Sequence, residues 1–209
     1  MCQESHIRAP HGLWANFHLT YVQSRRTQVL ARRLIDVIPE GCSTLDVGCG
    51  DGQISRLIQL KRPDIEISGI DIIVRDTTYF PVSAFDGTHI PATNGSQDVV
   101  MLVDVLHHCD EPETLIKEAR RVARKAIVIK DVMNDGFLTD TTLRFMDIAA
   151  NRRYNVPCPF NFWRREKWLA TFSALDVHIA EWRGALGLYP WPLNLLFERS
   201  MHFITRLDL

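Results

Sequence analysis

The sequence predicts an α/β fold: three layers, with a mostly parallel sheet between helices, an N-terminal helix ahead of it, and an insertion after the fifth strand that forms a lid. Three observations predict it. Short β-branched runs alternate with longer amphipathic segments, which is the pattern of βαβ units. Proline and glycine stops separate the two kinds of segment. A glycine-rich turn leads straight out of one short apolar run into a helix.

The elements follow in order. Val22, Val29, Leu30, Leu34 and Val37 recur at helical spacing over residues 20–38, and Pro39-Glu40-Gly41 ends that helix. Thr44–Val47 reads as a short buried strand, Gln53–Lys61 as a helix ended by Arg62-Pro63-Asp64, and Glu66–Ile70 as a second strand. Val82–Phe85 reads as a third strand and Asp98–Val103 as a fourth. Glu111–Arg124 is an amphipathic helix with Pro112 in its first turn, where proline is tolerated. Ala126–Ile129 is the fifth strand. Residues 131–163 then lose regular period and carry scattered aromatics, with Thr139–Ala150 as a helix of the lid. Arg164–Ala174 resumes a helix, and Val177–Trp182 and Met201–Leu207 read as final strands, an antiparallel hairpin around a long loop over 184–194.

Composition sets bounds on partners. The 209 residues include 24 basic and 25 acidic ones, for a formal charge of −1, and 46% are apolar. A single domain over 1–209 is expected at this length, with residues 1–40 as its N-terminal cap region. A near-zero charge argues against a general nucleic-acid binder, which needs a basic face. Five cysteines (Cys2, Cys42, Cys49, Cys109 and Cys158) are spread without a C-x-x-C pair, so reduced thiols in a cytoplasmic protein are expected. Met1–Pro10 has no apolar core of a signal peptide, and no uncharged apolar run is long enough to span a bilayer.

The strongest motif is Leu45-Asp46-Val47-Gly48-Cys49-Gly50-Asp51-Gly52. Glycines at a strand-to-helix turn let the backbone approach a ligand closely, and the helix start offers unpaired N–H groups. The spacing is G-x-G-x-G after an acid, not the G-x-G-x-x-G of dinucleotide enzymes. On these residues the chain resembles the class I S-adenosylmethionine (SAM)-dependent methyltransferases, in particular the small-molecule and lipid subgroup that includes quinone-pathway methyltransferases. The resemblance runs from about Arg25 to Ile129. It implies a Rossmann-like, seven-stranded sheet whose last strand is reversed.

The resemblance also implies a donor site holding SAM, with S-adenosylhomocysteine as product. Gly48, Gly50 and Gly52 match the glycines beneath its methionine part, and Asp46 matches the acid that orders the loop and the ammonium end. Asp71, 19 residues beyond Gly52 at the end of the second strand, matches the acid that accepts both ribose hydroxyls. Ile72 matches the apolar flank of the adenine, Asp86-Gly87 the position accepting its amino group, and Val103 the residue lining the donor's centre. Arg25 or Arg26 can reach the SAM carboxylate from the first helix. Each acid also has a plain alternative as a turn residue; their joint placement at strand ends is what is specific.

Catalytic candidates lie in Val103-Asp104-Val105-Leu106-His107-His108-Cys109. His108 matches the histidine that relatives place after the fourth strand, and His108 or His107 can serve as general base or as a structural loop histidine. Some quinone-pathway relatives bind a divalent metal here. Asp104 and His108 match part of that set, but His107 replaces a second acid, so no metal is expected. Asp131 faces the same mouth. The acceptor is expected to be a small apolar or aromatic molecule. It would meet Trp14, Phe17 and Tyr21, lid aromatics from Phe137 to Trp163 (Phe145, Tyr154, Phe160 and Phe162 among them), and the Tyr189–Trp191 loop. Arg152, Arg153, Arg164 and Arg165 can meet an acidic substrate group or form a solvated face. Two other classes compete: a catalytically silent SAM-fold interaction module, and an NAD-dependent oxidoreductase, which the glycine spacing disfavours. No nucleic-acid partner and no stable membrane insertion are expected.

Overall fold

The computed structural model describes residues 13–151 and 158–209. Arg152, Arg153, Tyr154 and Pro157 lie outside the described residues, as do the side chains of Trp14, Phe17 and Tyr21. Seven strands form one sheet. They are β1 (Ser43–Val47), β2 (Glu66–Asp71), β3 (Val82–Ala84), β4 (Gln97–Val103), β5 (Ala123–Val132), β6 (His178–Gly184) and β7 (His202–Asp208). The helices are α1 (Leu13–Ile35), α2 (Gln53–Lys61), α3 (Pro112–Val122), α4 (Thr139–Asn151), α5 (Arg165–Ala174) and the short α6 (Asn194–Phe197). The strand order is β3-β2-β1-β4-β5-β7-β6. Strands β1 to β5 pair in parallel, while β7 runs antiparallel to both β5 and β6. The order reverses between β1 and β4, and the carboxyl ends of strands at such a switch point form the natural ligand crevice.

Period-2 alternation builds the three layers. In β4, Val100 and Leu102 enter one core with Leu115, Ile116 and Ala119 of α3 and Trp168 and Phe172 of α5. Val99 and Met101 enter the opposite core with Leu30 and Leu34 of α1 and Ile58 of α2. Strand β5 divides in the same way, Ile127 and Ile129 to the first face and Ala126 and Val128 to the second. Buried on both faces, these strands read as continuous apolar runs, as parallel strands do.

Several boundaries differ from those expected. Helix α1 begins at Leu13, and β5 runs from Ala123 to Val132 with no loop after α3. β5 is longer because it pairs with β7 from Ala126 to Val132, so long-range pairing extends it past its apolar stretch. The loop between the last two strands contains α6. A 3-10 turn over Leu106–His108 occupies the segment expected to be plain loop. The insertion after β5 carries α4 and sits over the strand ends as a lid-like element.

Candidate active site

A cleft of about 1290 Å³ opens at the carboxyl ends of β1, β2 and β4. Gly48 and Gly50 form its floor, and Asp71 and Ile72 follow from the end of β2. The glycine loop is tied to β2, because the N–H groups of Gly48 and Cys49 donate to the Ile70 carbonyl at 2.8 and 3.2 Å. Gly48 has φ 75°, and a Cβ there would fall 2.5 Å from Val105 Cγ2. Only glycine meets both demands at that position. Asp71 accepts from Gly50 N–H at 2.7 Å through Oδ2 and from Ile73 N–H at 2.9 Å through Oδ1. Each oxygen keeps a second lone pair for a ligand donor.

At the far side of the cleft, Asp86 Oδ1 accepts from the N–H groups of Thr88 and His89, both at 2.7 Å, and from Thr88 Oγ1 at 2.9 Å. These bonds hold its carboxyl below the usual range. Gly87 adjoins Ile72, whose side chain is half exposed in the cleft.

The cleft-lining set contains Gly48, Gly50, Asp71, Ile72, Asp86, Gly87 and His108 of the expected residues, but not Asp46, Gly52, Val103 or His107. Gly52 starts α2, with Phe80 packed against it. Asp46 lies buried beneath the loop and accepts from Ser55 Oγ of α2 at 2.5 Å. Burial raises its carboxyl to about 7, against the Ser55 bond and with the help of the Asp71 charge. Its Oδ1 is buried without a hydrogen-bond partner. Arg25 and Arg26 of α1 have partners in the last loop and at the end of β4. Arg25 donates to the carbonyls of Gly187 and Leu188 at 2.9 and 3.1 Å, and Arg26 pairs with Asp104 at 2.5 Å.

A second cavity of about 390 Å³ adjoins the first and shares Asp104 and His108 with it. Its walls are mainly apolar: Leu143, Phe145 and Met146 of α4, Phe162, and Leu193 and Phe197 around α6. His107 opens onto this cavity. Fully buried Asp131 at the end of β5 orients it. Asp131 Oδ1 lies 2.6 Å from His107 Nδ1, and the carboxylate accepts from Leu106 N–H at 3.0 Å and Val132 N–H at 2.8 Å. Burial works against a charged His107, but Asp131, Asp104 and Asp147 outweigh it and raise its proton affinity. The His108 ring lies beside it, 4.2 Å away between centroids and tilted by 41°, with Nε2 3.4 Å from Asp147 Oδ1.

Behind this wall lies a charged network the sequence did not show. Lys130 has no exposed surface, pairs with Asp104, and faces His202 Nδ1 at 3.4 Å. His202 Nε2 faces the Phe197 carbonyl at 2.9 Å, which makes Nε2 the donor and Nδ1 the acceptor. Burial opposes the Asp104 charge, yet Lys130 and Arg26 hold it far below the usual carboxylate range. His202, buried beside Lys130 and Arg26, is pushed well below its ordinary value and stays neutral. The one signal for this network was Lys130 continuing the Ala126–Val128 face of a buried strand. Asp147 had none, being one acid in an amphipathic helix.

A family model described as a methyltransferase domain matches residues 45–128. A 27-O-demethylrifamycin SV methyltransferase of Amycolatopsis mediterranei is 28% identical over 131 residues, 54% of this chain and 46% of that protein. A 2-methyl-6-phytyl-1,4-hydroquinone methyltransferase of Synechocystis is 28% identical over 141 residues, 63% of this chain and 39% of that protein. The chain thus aligns with under half the length of each of these curated relatives. A solved SAM-dependent methyltransferase from Aquifex aeolicus superposes with a TM-score of 0.59 at 13% identity, covering 90% of this chain and 97% of that one. The fold is that of the class I SAM-dependent methyltransferases. Among the described residues, no helix is long and apolar enough to cross a membrane.

Proposed function

We propose that the protein is a SAM-dependent methyltransferase acting on a small, apolar or aromatic acceptor with an ionisable O–H or C–H. The observation that carries this is the pair of cavities, one with a glycine floor and carboxylates at its strand ends and one with mainly apolar walls, meeting at Asp104 and His108. SAM, when bound, supplies a methyl group on a sulfonium.

The residues present fit that group. Gly48 and Gly50 line the cleft with bare backbone, where Val105 and Arg75 leave no room for a Cβ. Asp46 Oδ1 is a buried acceptor without a donor, which an ammonium end would satisfy. Asp71 would hold the ribose through its spare lone pairs, Asp86 the adenine amino group, and Ile72 with Gly87 the adenine face. Gly52 and Val103 support the site from behind, as the start of α2 and the end of β4.

The acceptor would lie against Phe145, Met146 and Phe162. Its proton has one well-oriented destination. His107 turns Nδ1 to Asp131, which fixes its tautomer and stabilises the imidazolium formed on proton uptake. His107 is therefore the base in this proposal, and His108 positions the acceptor between the two cavities. By their names, one relative methylates a demethylrifamycin and the other a phytyl hydroquinone; the second supports an aromatic acceptor and the quinone-pathway subgroup.

The test is calorimetric titration with SAM, S-adenosylhomocysteine and NAD, followed by turnover with labelled SAM on a panel of hydroquinones and phenols. Binding of the two adenosyl-sulfur ligands with turnover of a panel member is expected; binding of NAD alone would overturn the proposal. Asp131→Asn should lower kcat by about 10²–10⁴ with the KM for SAM nearly unchanged. A KM effect alone would remove His107 from the base role.

A further inference from the structure

His107 and His108 from the turn after β4 meet Asp147 of α4, 39 positions beyond His108. Each offers one ligand atom, and the three atoms lie within 4.8 Å of one another. Asp147 Oδ1 is 3.4 Å from His108 Nε2 and 3.8 Å from His107 Nε2. An ion bound at 2.0–2.2 Å in tetrahedral geometry needs ligand atoms roughly 3.3–3.5 Å apart. One of the three spacings meets that, the second exceeds it by a few tenths of an ångström, and the third, between the two histidine nitrogens, lies within 4.8 Å, so the two rings must turn toward each other to close on an ion.

The surroundings are also those of a metal site. A metal-bound histidine characteristically gives its other ring N–H to a carboxylate. His107 does this with Asp131 at 2.6 Å, and two backbone N–H groups fix Asp131 in turn. Two imidazoles and one carboxylate suit a first-row transition ion and not magnesium or calcium, which favour oxygen sets. The three side chains line the apolar cavity, so a fourth position faces space rather than packed protein.

We propose that His107, His108 and Asp147 bind one divalent transition ion of the Zn²⁺ class, and that the bound ion switches methyl transfer off. The ion takes the Nε2 lone pair that His107 needs to accept a proton, and any proton there is released to solvent on binding. The switch rests on the base assigned above; the binding site does not.

The experiment uses the whole protein, treated with chelator and dialysed against Zn²⁺. About one Zn²⁺ retained per chain is expected. His108→Ala and Asp147→Asn should each weaken retention more than tenfold, and Asp131→Asn by about 10–100-fold. SAM titration of Asp147→Asn checks that this variant is folded. Co²⁺ in the unaltered protein should give the intense visible bands of a four- or five-coordinate ion. No retained Zn²⁺, or equal retention by the variants, would overturn the site. Zn²⁺ should abolish turnover and a chelator restore it. Undiminished turnover with Zn²⁺ bound would overturn the switch. Absence of turnover in the metal-free enzyme would overturn the base and with it the switch, while dialysis still decides the site.

Discussion

Asp71 both ties down the glycine loop and lines the cleft. Its two oxygens already hold Gly50 and Ile73, so the carboxylate shapes the glycine loop before any ligand arrives. Asp71→Ala should therefore weaken SAM binding by about 1–3 kcal/mol in calorimetry. Unchanged affinity would detach the ribose end from β2. Asp46 carries a different signature. Its folded-state value of about 7 lies above the ordinary aspartate value of 3.8, so the native state binds the extra proton between those values. Stability must then fall as pH rises from ~4 to ~7 and stay at its lower level above that. Asp46→Asn should flatten the slope, worth on the order of a few kcal/mol, in denaturant melts across that range. Cys109 and Cys158 show the same effect of burial on a thiol. Burial pushes Cys109 up to about 12 and Cys158 to about 11, so both should alkylate slowly at neutral pH.

At the level of elements, β5 brings together parts that sequence alone keeps apart. Its alternation sends Lys130 to the α1 face and Asp131 to the α3 face. One strand end thus supplies both the counter-ion of Asp104 and the partner of His107. Lys130→Ala would leave Asp104 with Arg26 as its remaining cation, and His202 without its neighbour. Breaking such a buried pair costs about 3–5 kcal/mol, read as a lower denaturation midpoint. Lys130→Met, which keeps the volume and removes the charge, should lose less than the alanine variant if packing matters as well as charge. Helix α1 is joined to the same network through Arg26, and to the loop before α6 through Arg25. Its docking is therefore electrostatic at one end and apolar, through Leu30 and Leu34, at the other.

For the molecule as a whole, ligand binding should appear in global stability. S-adenosylhomocysteine at about 100 times its dissociation constant should add about 2.7 kcal/mol and raise Tm by roughly 5–11 °C, with no effect from NAD. A shift with NAD would place the donor site in another class. The wall shared by the two cavities makes that linkage local. The two cavities meet at Asp104 and His108, which stand where the strand order reverses.

The order of strands and helices, the glycine turn and the acids at the ends of β2 and β3 were all legible in the sequence. Each is encoded by neighbours along the chain: alternation, a stop, or a fixed spacing after a strand. The reversed last strand was implied by resemblance, and the pairing of β7 with β5 bears it out. The tertiary structure alone decided what depends on distant segments meeting. Asp147 reaches the two histidines only because α4 folds back over the strand ends, and Arg26 reaches Asp104 only because α1 packs on the Lys130 face. Asp46, matched to the acid that orders the glycine loop and the ammonium end, lies on the α2 side with Ser55 because β1 places alternate residues on opposite faces. Chain-local spacing determined the glycine-floored cleft; side-chain partners drawn from several elements determined the histidine wall, and no local pattern records which residues a fold will bring within hydrogen-bonding reach.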